Sequence, residues 1–322
     1  MHTALKGSLA AVGICFLILD SQTALSSARE GLSLCLHSII PGLFPFFLLT
    51  GIISSGLMGK SILILRPLGI LCGLPKGSES FLIPAFLGGY PMGARTAAEL
   101  YSDHKIDRDT ANWLLSFGSN CGPAFFFGFL SPLFEDRQTV WLLWGIHIAA
   151  AVAAARLFLP DTVHMVFPEK KGVSPAQLMN QALKAIGAVC GWILCFRVIT
   201  GFLKKWILWR LPVWGQAAVT GVLELTNGCS MLETVSAPEL KFLLASGLLS
   251  FGGLCVLMQT ASFLGNLSLR PYFLGKLVQS ALSIVMAFLI IRKLYAGLLL
   301  AGILFVSLGI RKKGGNLRPV SV

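Results

Sequence analysis

Two apolar stretches of this chain are each cut in the middle, and they sit at corresponding places in a duplicated pattern. The first reads Phe81–Leu87, then Gly88-Gly89-Tyr90-Pro91-Met92-Gly93, then Ala94–Leu100; the second reads Ala217–Leu223, then Glu224-Leu225-Thr226-Asn227-Gly228, then Cys229–Val235. The duplication is anchored by Leu114-Leu115-Ser116-Phe117-Gly118, which recurs as Leu248-Leu249-Ser250-Phe251-Gly252, with Cys121 opposite Cys255. The two anchors lie 134 residues apart, and Gly93 and Gly228 lie 135 apart. Paired, interrupted apolar segments in two halves of a chain point to the binding site of a secondary transporter.

The surroundings of these cuts are those of a polytopic membrane protein. Hydrophobic residues make up 55% of the 322 positions and charged ones 12%, and the mean hydropathy is +0.77. Such a composition excludes a pair of soluble domains. The net charge of +12 sits mostly in short connections between apolar runs. No aromatic-and-basic platform accompanies it, so nucleic acid is not an expected partner. Six of the eight cysteines lie inside apolar runs without metal-ligand spacing and read as packing residues. No nucleophile–histidine–acid set, zinc motif or phosphate loop is present, so no enzyme and no cofactor are expected.

A helix needs roughly 20 residues to cross a ~30 Å hydrocarbon core. Crossings are expected at Leu5–Leu19, Leu36–Leu57, Thr110–Phe134, Val140–Leu159, Gln177–Leu203, Leu240–Leu264, Leu274–Ile291 and Tyr295–Ile310, about eight in all. The first segment also resembles a signal peptide, but the membrane character of everything downstream favours a retained span. Each arm of the two cut segments would rise only ~10 Å as helix. A re-entrant hairpin therefore fits each better than a kinked crossing, although a kink at Pro91 or Gly228 is the alternative. Three crossings per half would insert the second copy upside down, giving an all-α protein of two inverted repeats. The expected organisation is an N-terminal helix and loop (1–35), repeat one (36–160), a linker (161–176), repeat two (177–293), and a last helix with a basic tail (294–322). More basic residues fall on the side of Lys60, Lys105, Lys170 and Arg270 than on that of Arg137, Lys204 and Arg292, which places both termini in the cytoplasm.

The cuts carry the candidate site. Helix starts near Gly93 and Gly228 would offer unpaired N–H groups to an anion. The crossings that follow are interrupted too, at Gly118-Ser119-Asn120-Cys121-Gly122-Pro123 and at Gly252-Gly253. Ser119, Asn120, Gln259 and Thr260 are neutral groups suited to orienting a polar ligand, while the glycines could equally serve close helix packing. Glu224 is either a proton- or cation-linked carboxylate or a structural cap. Arg95 either meets an anionic substrate or pairs with Glu99 one turn on. His147 reads as a satisfied buried histidine.

At Pro41-Gly42-Leu43-Phe44-Pro45-Phe46, Gly89-Tyr90-Pro91-Met92-Gly93-Ala94, Asn120-Cys121-Gly122-Pro123-Ala124-Phe125 and Glu224-Leu225-Thr226-Asn227-Gly228, the chain resembles the YlbJ family of sporulation integral membrane proteins, within the nucleoside-recognition or gate domain group. The likeness runs roughly from residue 36 to residue 291. Where the family pattern carries a small hydroxyl residue before Gly-Tyr-Pro, this chain has Gly88. The resemblance implies a fold related to concentrative nucleoside transporters, with a substrate held between two hairpin tips and two broken helices. On that basis Gly88, Gly89, Tyr90, Pro91, Gly93, Arg95, Thr226, Asn227 and Gly228 would contact it, with Ser119, Asn120, Gln259 and Thr260 orienting it and Glu224 coupling a proton or cation. It further implies export of dipicolinic acid, a rigid aromatic dianion, across the outer forespore membrane of a sporulating bacterium. A nucleoside or other small-solute transporter, and a non-transporting sporulation scaffold, are the alternatives.

Overall fold

A computed structural model describes residues 2–57, 59–166 and 174–294, with the side chains of 2–6, 9, 54 and 55 left aside. The expected crossing at Tyr295–Ile310, the basic tail and residues 167–173 of the linker lie outside the described residues.

Among the described residues the regular structure is helical, and one isolated bridge joins Ile106 and Met165. It begins with α1 (His2–Leu19) and α2 (Ser21–Leu34). Asp20 starts α2 by accepting from the Thr23 N–H at 3.3 Å. Residues 20–35, expected as a loop, are therefore helical. A wide π-type turn at Cys35–Ile39 leads from α2 into α3 (Ile40–Leu57), so the helix runs unbroken from Ser21 to Ile53 over 33 residues. The wide turn accommodates a helix that contains Pro41 and Pro45, each without an N–H to donate. The short α4 (Arg66–Cys72) follows and ends at Gly73, whose φ of 97° is left-handed.

The first cut segment comprises a turn at Glu79–Phe81, a wide turn at Ile83–Leu87, and α5 (Met92–Ser102). Eight residues along a straight helix would separate Ala85 from Gly93 by ~12 Å. Instead, a Cβ on Gly93 would stand 3.0 Å from Cα of Ala85. The chain therefore reverses at residues 88–91. α6 (Arg108–Phe117), capped by Asp107, stops at Gly118. The chain resumes as a wide-turn helix at Ala124–Leu130. The expected crossing Thr110–Phe134 is thus two pieces around the Gly118–Pro123 break.

α7 (Arg137–Leu157) is capped by Asp136, and α8 (Pro175–Trp206) by a reciprocal Ser174–Gln177 box. The second cut segment is α9 (Val213–Leu223) and α10 (Leu225–Met231), joined at Glu224 alone. Gly221 and Gly228 would be ~10 Å apart in one helix, yet a Cβ on Gly228 would overlap the backbone of Gly221. This segment too is a hairpin. α10 starts at Leu225 rather than at Gly228, because Glu224 caps it three residues earlier than the glycine suggested; Gly228 is instead the contact between the arms. α11 (Pro238–Phe251) and α12 (Gly253–Ala261) are separated by two successive left-handed glycines, Gly252 at φ 82° and Gly253 at φ 87°. α13 (Arg270–Ile291) closes the described chain.

Among the described residues five helical segments are long and apolar enough to cross a membrane: Ser21–Ile53, Arg137–Leu157, Pro175–Trp206, Pro238–Ala261 (across the Gly252 break) and Arg270–Ile291. Leu49, Ile52, Leu157, Leu183 and Val285 stand exposed along such segments, as lipid-facing residues do. The chain is an all-α polytopic membrane protein. Inside it, α13 packs on α6, α7 and α11, while α2 and α3 lie along α8. α13 and α6 approach closely in the core, where a Cβ on Gly275 would overlap the backbone of Ser116.

Candidate functional site

Three of the four interruptions and the helix that follows the fourth meet at one small cavity. Gly89 and Tyr90 of the first hairpin, Cys121 and Gly122 of the first helix break, Glu224 and Thr226 of the second hairpin, and Val256 and Gln259 of α12 all line it. Its apolar walls come from α2–α3 (Ile39, Leu43) and α8 (Val189, Ile193). Its volume is about 50 Å³, room for a water molecule or two against the ~300–1,000 Å³ of usual ligand pockets. A solute the size of a pyridine dicarboxylate requires the hairpin tips to part.

Local chemistry fixes each tip. Gly89 takes φ 74°, and the Tyr90–Pro91 peptide is cis. Gly88, Pro91 and Gly93 hold the turn: a Cβ on Gly88 would come within 2.9 Å of the Pro84 carbonyl oxygen, and one on Gly93 would overlap that of Gly118. At the second tip Glu224 is extended, at φ −143° and ψ 115°. Its carboxylate accepts from the Thr226 N–H at 2.8 Å and the Asn227 N–H at 2.7 Å. The expectation that the second helix start would lie open to an anionic ligand is therefore corrected. The chain's own carboxylate occupies those donors.

The polar candidates fall into three groups. Tyr90, Glu224, Thr226 and Gln259 border the cavity. Asn120 and Asn227 are engaged elsewhere. Asn120 Nδ2 donates to the carbonyls of Ala85 (3.1 Å) and Phe117 (2.8 Å), tying the first hairpin to the helix break. Asn227 Oδ1 accepts from Lys204 at 3.2 Å. Ser119 and Thr260 are fully buried, and their hydroxyls make no hydrogen bond. The Tyr272 hydroxyl lies near both of them and is likewise without a partner of good geometry.

Arg95 is not at the cavity. It pairs with Glu99 at 2.8 Å, donates to the Gln181 carbonyl at 2.9 Å, and stands over the Phe263 ring. With Glu99, Asp103 and Lys105 it lines a separate cleft of about 240 Å³ between α3, α5 and the start of α8. The i, i+4 pairing accounts for its charge.

Behind Tyr90 lies a buried polar network that sequence reading missed. Lys276 of α13 is 1% exposed. Its Nζ donates to Gln279 Oε1 at 2.5 Å and Tyr90 Oη at 3.3 Å, and stands 5.0 Å from the centre of the Tyr90 ring. Tyr90 Oη donates to the Leu249 carbonyl at 3.0 Å. Gln279 Nε2 donates to Asn120 Oδ1 at 2.9 Å and the His147 carbonyl at 3.2 Å. His147 accepts from the Cys121 N–H through Nε2 at 3.2 Å. Its Nδ1 therefore carries the proton toward Ser250 Oγ at 3.0 Å, which meets Ser283 Oγ at 2.6 Å. His147 is thus a satisfied core histidine, as expected. Lys276 stands third in the expected crossing Leu274–Ile291, near its end. The helix in fact starts at Arg270, nearly two turns earlier, which draws the lysine inside.

Among the described residues no cluster of histidine, cysteine and acidic side chains could hold a metal ion, and the eight cysteines are unpaired. No family model and no solved structure matches the chain. The sporulation integral membrane protein YlbJ of Bacillus subtilis (strain 168) is 24% identical over 322 aligned positions, covering 85% of this chain and 79% of that protein. This likeness spans most of both chains and supports the resemblance to the YlbJ sporulation integral membrane proteins.

Proposed function

We propose that this sporulation-associated membrane protein transports a small organic anion, dipicolinate in the mother cell of a sporulating bacterium, across the outer forespore membrane. The observation that carries the reading is the convergence of two hairpin tips, the first helix break and the helix that follows the second on one small cavity. Interrupted backbone inside a membrane is tolerated only where protein or a water-lined site satisfies it, and interruptions gathered at one place make a site that can open and close. Two halves related by an inverted repeat would open it alternately to either side, with both termini in the cytoplasm. Glu224, a buried carboxylate in the cavity wall, carries the coupling proton or holds the second tip.

Glu224 also favours a second reading. A fixed carboxylate in the wall suits a neutral solute such as a nucleoside better than a dianion. The experiment is uptake of labelled dipicolinate into proteoliposomes of the purified protein, with nucleosides as competitors. Uptake that nucleosides leave untouched supports the anion; nucleoside uptake supports the second reading. No uptake of either, with unchanged spore formation by a Gly228→Leu strain, identifies a non-transporting scaffold.

A further inference from the structure

The amine of Lys276 is buried in the protein core, and no carboxylate pairs with it among the described residues. Its two acceptors, Gln279 and Tyr90, are neutral. The described ion pairs join Arg66–Glu79, Arg95–Glu99, Lys105–Asp103, Arg197–Glu30 and Lys205–Asp20, and none includes Lys276. A charge removed from water is retained at this depth where it is compensated or where it has a task. Lys276 has two neighbours in the cavity wall: Tyr90, to which it donates, and Cys121, close enough to interact with its charge. His147, the remaining titratable group facing it, is bonded to Cys121 and Ser250.

We propose that Lys276, acting through Tyr90, supplies the positive charge that makes the tip cavity select an anionic carboxylate over a neutral solute of the same shape. The inference rests on the transport reading above and names the residue that sets its substrate class. Tyr90 is the relay. Its hydroxyl accepts from the lysine on one side while its ring forms part of the cavity wall. As the tips part, a carboxylate entering beside Tyr90 and Cys121 meets the ammonium as its counter-ion. Lys276 is also attached, through Gln279 and Asn120, to the Ala85 carbonyl in the first arm of the hairpin. Charge neutralisation in the cavity and the position of the first tip are therefore linked by hydrogen bonds. Glu224, also in the cavity wall, has its carboxyl oxygens engaged by two backbone N–H groups.

The test compares a shape-matched pair of probes, pyridine-2,6-dicarboxylate and its neutral diamide, in proteoliposomes of the full-length protein. Wild type is expected to prefer the dianion. Lys276→Met should lower that preference at least ~10-fold, the scale of a lost charge-assisted bond, while diamide uptake persists and reports an intact fold. Lys276→Arg should keep the preference. Should the methionine variant take up neither probe, Lys276→Gln, which keeps a donor but no charge, decides in its place by the same ratio. A wild type that carries the dianion and a charge-neutral variant that keeps its full preference overturn this inference alone. A wild type that carries only the diamide overturns the transport reading and the inference with it.

Discussion

The hydroxyl of Tyr90 donates to the carbonyl of Leu249 at 3.0 Å across 159 residues of sequence, joining the first hairpin tip to the last turn of α11. Just beyond, the tyrosine ring packs on the left-handed Gly252, where a Cβ would stand 3.1 Å from ring carbon Cζ. One side chain thus links an interruption in the first half of the chain to one in the second. Tyr90→Phe keeps the ring and removes both the bond to Leu249 and the acceptor for Lys276. Thermal unfolding in detergent should show a loss of about 1–3 kcal/mol, and no change would deny the link.

The arms of the second hairpin touch backbone to backbone at Gly221 and Gly228. Gly228→Ala should be destabilised by about 1–3 kcal/mol or more, since the arms must separate to admit a methyl group. Gly187→Ala is the control. Nothing lies within 4 Å of a Cβ at Gly187, on α8, so this variant should be neutral or gain about 0.5–1 kcal/mol in helix propensity. Equal melting temperatures for the two variants would mean the hairpin contact is absent.

Asn120 and Ser119 are neighbours with opposite expectations. Asn120→Ala leaves Gln279 Nε2 and the Ala85 carbonyl without a side-chain partner in the core, at a cost of about 2 kcal/mol or more. Ser119→Ala removes a hydroxyl that has no partner and should change stability by less than about 1 kcal/mol. A costly Ser119→Ala would show that its hydroxyl is engaged, as contact with a bound solute or ion would require.

At the second tip, Glu224→Gln keeps one acceptor for the Thr226 and Asn227 N–H groups and turns a donor toward the other. Loss of one capping bond beside a buried donor costs about 1–3 kcal/mol. If the carboxylate also carries the coupling proton, the variant exchanges substrate across the membrane but no longer accumulates it against a pH gradient. Full gradient-driven accumulation by a stable Glu224→Gln protein would leave Glu224 a cap and nothing more.

The membrane class, the two hairpins and the two broken helices were legible because backbone physics leaves marks in sequence. Glycine and proline inside an apolar run are costly unless a reversal or break needs them. The repeated Leu-Leu-Ser-Phe-Gly ends a helix both times, α6 at Phe117 and α11 at Phe251. Less legible was the helix at residues 21–34, whose serines, arginine and glutamate resemble a connection until Asp20 is seen to cap it. The second helix start was misplaced for a related reason. A glycine marks close approach as readily as a terminus, and Gly228 serves the former. Lys276 stayed hidden because depth in a helix depends on where the helix begins, and Arg270-Pro271 reads as a loop. Arg95 shows the reverse limit: its spacing from Glu99 announces a pair, but nothing in the sequence tells which cleft the pair faces.

The size of the tip cavity bears on what the protein does when idle. A chamber of about 50 Å³, with Ile39, Leu43, Val189 and Ile193 in its wall, holds a water or two and no solute of the proposed size. On the transport reading this shape is therefore a resting one: cargo passes only in the moments when a tip lifts, and between them the protein stands empty.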